Sequence, residues 1–185
     1  MARTFETDIV VSKELRESET ILWKGAPEAF PLVEESNRKY IYNRWIICAV
    51  VAALIVAAYG ILNLSMGVSI WLPIIALLVV AYFIFLPCFD KRSVYKNCKY
   101  YITNERVILY YGDREIYSLP VKGLKSNILD SGEGCVHIEL GTCVGMKANK
   151  RRVAAFVPRK DDNGNVIGMV LYNIENSDTF KEIFS

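Results

Sequence analysis

The polar and apolar positions of this chain fall into two regimes. Residues 45–64, WIICAVVAALIVAAYGILNL, and residues 68–89, VSIWLPIIALLVVAYFIFLPCF, carry no charged side chain. As helix, each is long enough to cross about 30 Å of hydrocarbon. A core helix of a soluble protein is usually shorter and keeps a polar stripe, and neither stretch has one. The pattern therefore predicts two transmembrane helices. Only residues 65–67, Ser65-Met66-Gly67, separate them, so they form a tight antiparallel hairpin. Pro73 falls in the first turn of the second span, where a missing N–H costs little, and Pro87 near its exit is expected to end it. Residues 34–44 are expected to run as helix into the first span.

Outside the spans the period shortens to two. Residues 96–103 and 106–111 read as a hairpin about the polar pair Asn104-Glu105. In that register Tyr100, Ile102, Val107 and Leu109 share one face, and Tyr101, Thr103, Arg106 and Ile108 the other. Further strands are predicted at 114–118, 124–129, 135–140, 152–157 and 166–174, punctuated by turn residues. Phe180, Ile183 and Phe184 then recur at helical spacing after a capping Asn176 or Ser177. Seven antiparallel strands and one amphipathic helix imply a bent sheet, or two sheets at a steep angle, whose open corner the helix plugs. Upstream of the spans, Ile9-Val10-Val11 and Ile21-Leu22-Trp23 are candidates to add a strand to this domain or pack on it.

Charge orients the hairpin. Arg38, Lys39 and Arg44 precede the first span, Lys91, Arg92, Lys96 and Lys99 follow the second, and the connecting loop is uncharged. The positive-inside rule then places both termini of a multi-pass membrane protein in the cytoplasm. The first span begins too far along the chain for a signal peptide. Residues 1–44 hold seven Lys/Arg against eight Asp/Glu, and residues 90–185 fifteen against twelve. So mild an excess excludes a nucleic-acid footprint and suits a domain beside an anionic leaflet. The five cysteines (Cys48, Cys88, Cys98, Cys135, Cys143) form no CxxC, and a cytoplasmic domain keeps them reduced. Cys135, His137 and Cys143 lack a fourth ligand, so no metal site is expected.

Two motifs carry a family resemblance. YITNERVI (101–108) resembles the Y-x-(aliphatic)-T-N-x-R-(aliphatic) signature of bacterial pleckstrin-homology-like (PH-like) domains in small membrane proteins. ETILWKGAP (19–27) is similar to the E-x-(aliphatic)-(aliphatic)-W-x-G-x-P stretch such proteins carry before their hairpin. SLPV (118–121) and YNIEN (172–176) look like that family's linker and closing strand, so the resemblance covers residues 18–31 and 95–184. It implies a transmembrane α-helical hairpin plus a mainly β PH-like domain of seven antiparallel strands closed by a C-terminal helix. The expected organisation is a cytoplasmic N-terminal segment (1–44), spans at 45–64 and 68–89 joined by an external loop (65–67), and the PH-like domain (94–185).

Candidate chemistry is sparse. PH-type domains that bind inositol phosphates crowd Lys and Arg into the loop between strands one and two. Here that loop reads Thr103-Asn104-Glu105-Arg106, one cation beside one anion, so no headgroup pocket is expected. Arg106 is read as structural, pairing with a carboxylate or covering Tyr101 and Tyr110. The densest cationic run is Lys147, Lys150, Arg151 and Arg152, between strands five and six. It is the candidate contact for anionic lipid or an anionic partner, at about 1 kcal/mol per cation, against the plainer reading of a solvated hairpin tip. No catalytic residue and no cofactor is expected: there is no nucleophile elbow or Gly-rich phosphate loop, and DDNGN (161–165) lacks calcium-loop spacing. The leading expectation is a non-enzymatic, membrane-anchored binding module, a scaffold or accessory subunit whose partners are the bilayer and a protein, not nucleic acid. Small residues along the first span, Ala49, Ala52, Ala53, Ala57, Ala58 and Gly60, permit close helix approach, either within the hairpin or between protomers of a homo-oligomer. The rival readings are a channel or transporter component built from oligomerising hairpins, and an anionic-lipid sensor.

Overall fold

The computed structural model describes residues 11, 13–67, 69–112, 115–132, 134–176 and 178–184. Residues 45–64 lie within helix α1 (Arg38–Met66), and residues 71–89 of the second charge-free stretch lie within α2 (Trp71–Asn97). Both are long and apolar enough to cross a membrane, and only 6% and 11% of their most apolar windows are buried. A core helix would be covered by protein; these leave Leu54, Ile61, Leu78 and Phe85 open. Trp45 ties the two together, its indole N–H donating to the Ile84 carbonyl at 3.3 Å. Gly67 closes α1 in the left-handed conformation that a glycine adopts without penalty (φ 58°), its N–H on the Asn63 carbonyl. Pro87 does not end the second helix. The ring removes one N–H bond, but the residues after it keep theirs, and α2 continues to Asn97.

The other described residues, up to Phe30 and from Arg92 onward, form a second compact unit. One antiparallel sheet follows chain order: β1 (Ile21–Gly25), β2 (Cys98–Thr103), β3 (Arg106–Tyr111) and β4 (Glu115–Pro120). The other holds β5 (Ser126–Gly132), β6 (Cys135–Gly141), β8 (Val166–Glu175) and the two-residue β7 (Arg159–Lys160), with β8 between β6 and β7. Two short helices complete the unit, α3 (Ala148–Ala154) and α4 (Asp178–Phe184).

Two strand assignments change. The described residues form two sheets of four strands rather than seven strands in all, because Ile21–Gly25 joins from the far side of the hairpin and the short Arg159–Lys160 takes the place of 152–157. The segment 152–157 is not a strand. Ala, Lys and Arg favour helix, and α3 occupies residues 148–154, with the Ala155 N–H on the Arg151 carbonyl at 3.0 Å. Its small Ala154 and Ala155 are buried against Val170 and Cys143.

The two sheets share one core. Tyr100, Ile102, Val107 and Leu109 meet Ile138, Leu140, Met169 and Leu171, and Phe180 of α4 is fully buried among them. The face carrying Tyr101, Ile108 and Tyr110 is covered instead by Val11 and Leu15. Both faces of the β2–β3 hairpin are therefore apolar because both are occupied. β1 explains its own motif. Trp23 and Gly25 lie on one face of the strand, and a Cβ on Gly25 would sit 2.5 Å from the Trp23 ring. The indole lies across that glycine and meets Phe180 edge-on, centroids 4.9 Å apart.

Candidate functional site

The two motifs that flank the hairpin in sequence meet in space. β1 pairs antiparallel with β2, setting Trp23 opposite Ile102 and Gly25 opposite Tyr100. At its start Glu19, whose side chain is fully buried, takes a two-pronged bond from Arg106: Nε to Oε1 and an Nη to Oε2, both 2.9 Å. The Thr103 hydroxyl donates to the same carboxylate at 2.7 Å, and the Arg16 N–H adds a bond at 3.1 Å. Asn104 completes the latch, its Oδ1 accepting from the Thr20 N–H and its Nδ2 donating to the Ser18 carbonyl. Arg16 pairs with Glu105 at 2.9 Å on the outside. Thus every residue of the T-N-E-R run grips the segment 14–20. The Arg106 hydrogen bonds hold the Glu19 carboxyl down from 4.5 to about 2 against the opposing effect of burial.

A second clasp holds residues 28–30. β8 carries a bulge where Ile174 and Leu171 face Val136 and Ile138, and Asn173 within it has φ 48°. The bulge turns the Asn173 amide toward the incoming chain, where Nδ2 donates to the Glu28 and Ala29 carbonyls. The Glu28 N–H donates back to the Asn173 carbonyl at 2.7 Å. Phe30 then packs edge-on to Tyr172 at 5.1 Å, and the Arg152 guanidinium lies over both rings at 5.0 and 5.8 Å. His137 also stacks on Tyr172 at 4.1 Å, and its Nδ1 accepts the Asn173 N–H.

This arrangement redistributes the basic run. Lys147 and Lys150 are exposed, but Arg151 bonds the fully buried Glu139 carboxylate at 2.6 Å, and Arg152 is itself buried. The run is a helix packed on β8, not a hairpin tip. Two of its four cations are committed to contacts inside the unit. Sequence alone missed this because Glu139, Phe30 and Tyr172 are remote along the chain; no local signal marks them.

The single histidine is not a ligand of any described cluster. Burial, and secondarily the charges of Arg151 and Arg152, hold its pKa down at about 4. A histidine neutral in the folded state and protonated when unfolded costs stability as pH falls below its ordinary 6.5, and the loss is complete near 4. Trp23 is the one tryptophan outside α1 and α2, so its fluorescence reports this unit. The unfolding midpoint should fall over that window by the equivalent of about 3 kcal/mol, and His137→Gln should flatten the dependence. Among the described residues, no group of three His, Cys, Asp or Glu side chains is placed to hold a metal ion. Cys98 is buried with its thiol pushed up to about 12, chiefly by desolvation, which makes it inert at neutral pH.

The chain matches no protein-family model, no curated protein and no solved structure. The site therefore rests on its own geometry: two clasps that fasten the segment before the hairpin onto the sheets built after it.

Proposed function

We propose that this chain is a bacterial inner-membrane protein whose α1–α2 hairpin spans the bilayer and carries a non-enzymatic, PH-like binding module at the cytoplasmic face. It acts as a scaffold or accessory subunit for a protein partner. The observation that carries this reading is the joining of β1 to β2 across the whole hairpin, sealed by Glu19 and Arg106. A unit whose chain leaves at residue 30 and returns at residue 92 is tethered twice, so lipid affinity is not needed to bring it to the membrane. Its PH-like character is supported by two antiparallel sheets around one core, with a C-terminal helix buried through Phe180. With β1 as first strand, the connection between strands one and two is the hairpin itself rather than residues 103–106. The loop that takes inositol phosphates in other PH-type domains is thereby given over to the anchor.

Open sheet edges are the surfaces such a module offers, since an added strand satisfies their main-chain groups. Among the described residues the longest is β5, seven residues with Ile128 and Asp130 exposed. A photo-reactive residue at Ile128 in the full chain, in native membranes, should give a discrete protein adduct. Crosslinks to lipid alone would contradict the reading. The lipid-sensor alternative is weak on magnitude: Lys147 and Lys150 together supply about 2 kcal/mol. Lys147→Gln with Lys150→Gln should leave the Ile128 adduct unchanged.

A further inference from the structure

We propose that the hairpin holds one anionic phospholipid, its phosphate at Arg44 and an acyl chain in the groove between α1 and α2. The inference rests on the membrane reading above and adds a ligand to it. The groove lies wholly within the hairpin and encloses about 550 Å³, within the usual range of ligand sites. Its polar groups gather at one end, where Tyr40, Asn43 and Arg44 fall on one helix face by their three- and four-residue spacing. The remaining wall is apolar, with Cys48 and Val51 facing Val80 and Phe83. At 1.5 Å per residue, the lining from Tyr40 to Val51 spans about 16 Å, half of a hydrocarbon core and so the depth of one leaflet.

The mouth selects the headgroup. Arg44 lies over the Tyr40 ring at 5.0 Å and donates to its hydroxyl at 2.7 Å, which fixes the guanidinium at the end of the groove. Among the described residues no carboxylate pairs with it. An unneutralised guanidinium, with its fork of donors, matches a phosphodiester. Basic pockets between spans on the cytoplasmic side bind anionic headgroups for this reason. Arg38 provides the comparison: it stacks on Tyr42 at 5.6 Å and does not line the groove.

The test offers the full-length protein, in mild detergent, phosphatidylglycerol and phosphatidylcholine of identical chains in equal amounts, and counts retained lipid by native mass spectrometry. Phosphatidylglycerol should be retained about fivefold over phosphatidylcholine. Arg44→Gln should erase the preference and Arg38→Gln should keep it. Val79 lines the groove and is half exposed, so Val79→Trp should fill the slot and lower retention of both lipids. Should Arg44→Gln fail to fold, Arg44→Lys keeps the charge without the fork and should still reduce the preference. Equal retention of the two lipids by the native chain would overturn the site. So would an Arg38→Gln loss as large as that of Arg44→Gln, which would mean general surface charge. Failure of the membrane reading is separate: the chain would then stay dispersed after detergent is withdrawn.

Discussion

Phe180→Ala should remove about 3–5 kcal/mol of stability from the sheet unit, the usual cost of emptying a buried phenyl site. Phe180 is fully buried and is the residue through which α4 enters the core shared by the two sheets. Its edge contact with Trp23 also joins the last helix to the first strand, on opposite sides of the hairpin. The loss is a large share of what holds a domain of this size together. Heating the full chain in detergent while following Trp23 emission should show a much lower midpoint. Emission should already shift toward water at low temperature, since the ring beside the indole is gone. An unchanged midpoint would mean that α4 does not plug the core.

The second large effect belongs to the latch. Arg106→Met should destabilise the unit by about 3 kcal/mol, because it strands the Glu19 carboxylate without its main counter-charge. Replacing both, Glu19→Gln with Arg106→Met, should cost less than the two single changes summed, since no buried charge is then left alone. Acid titration gives an independent check. Glu19 is held at about 2 in the folded state against an ordinary 4.5, so its contribution is complete above 4.5 and is lost as pH falls toward 2. Native protein should lose on the order of 2 kcal/mol across that window, and Glu19→Gln should remove that share of the acid sensitivity. His137 acts higher, between 6.5 and 4, so the two variants should flatten different parts of one curve.

The local parts of this fold were legible in the sequence. Absence of charge over 45–64 and 68–89 marked the helices, and period-two alternation placed Tyr100, Ile102, Val107 and Leu109 on the shared core. The reading of Arg106 as a structural cation seeking a carboxylate also held, with Glu19 as the partner. What escaped was non-local or ambiguous. Residues 152–157, RVAAFV, form a short apolar run that period alone cannot divide between strand and helix. Proximity of Ala154 and Ala155 to Val170, a tertiary fact, decides for helix. The bulge at Asn173 leaves no mark, since an asparagine in a β-rich stretch looks like an ordinary strand residue until its φ of 48° is seen. The basic run looked solvated because the partners of Arg151 and Arg152 come from β6, β8 and the segment before the hairpin. Such pairings are set by topology rather than by neighbours in sequence.

The central claim, a sheet unit held at the cytoplasmic face by a two-span hairpin, is tested most directly by labelling in intact cells. In a cysteine-free background, one cysteine is placed at Ser69, between α1 and α2, and in a second protein at Asp162, exposed between β7 and β8. A membrane-impermeant maleimide should modify the cysteine at 69 in intact cells and reach the one at 162 only after the membrane is permeabilised. Labelling at position 162 in intact cells would contradict the account.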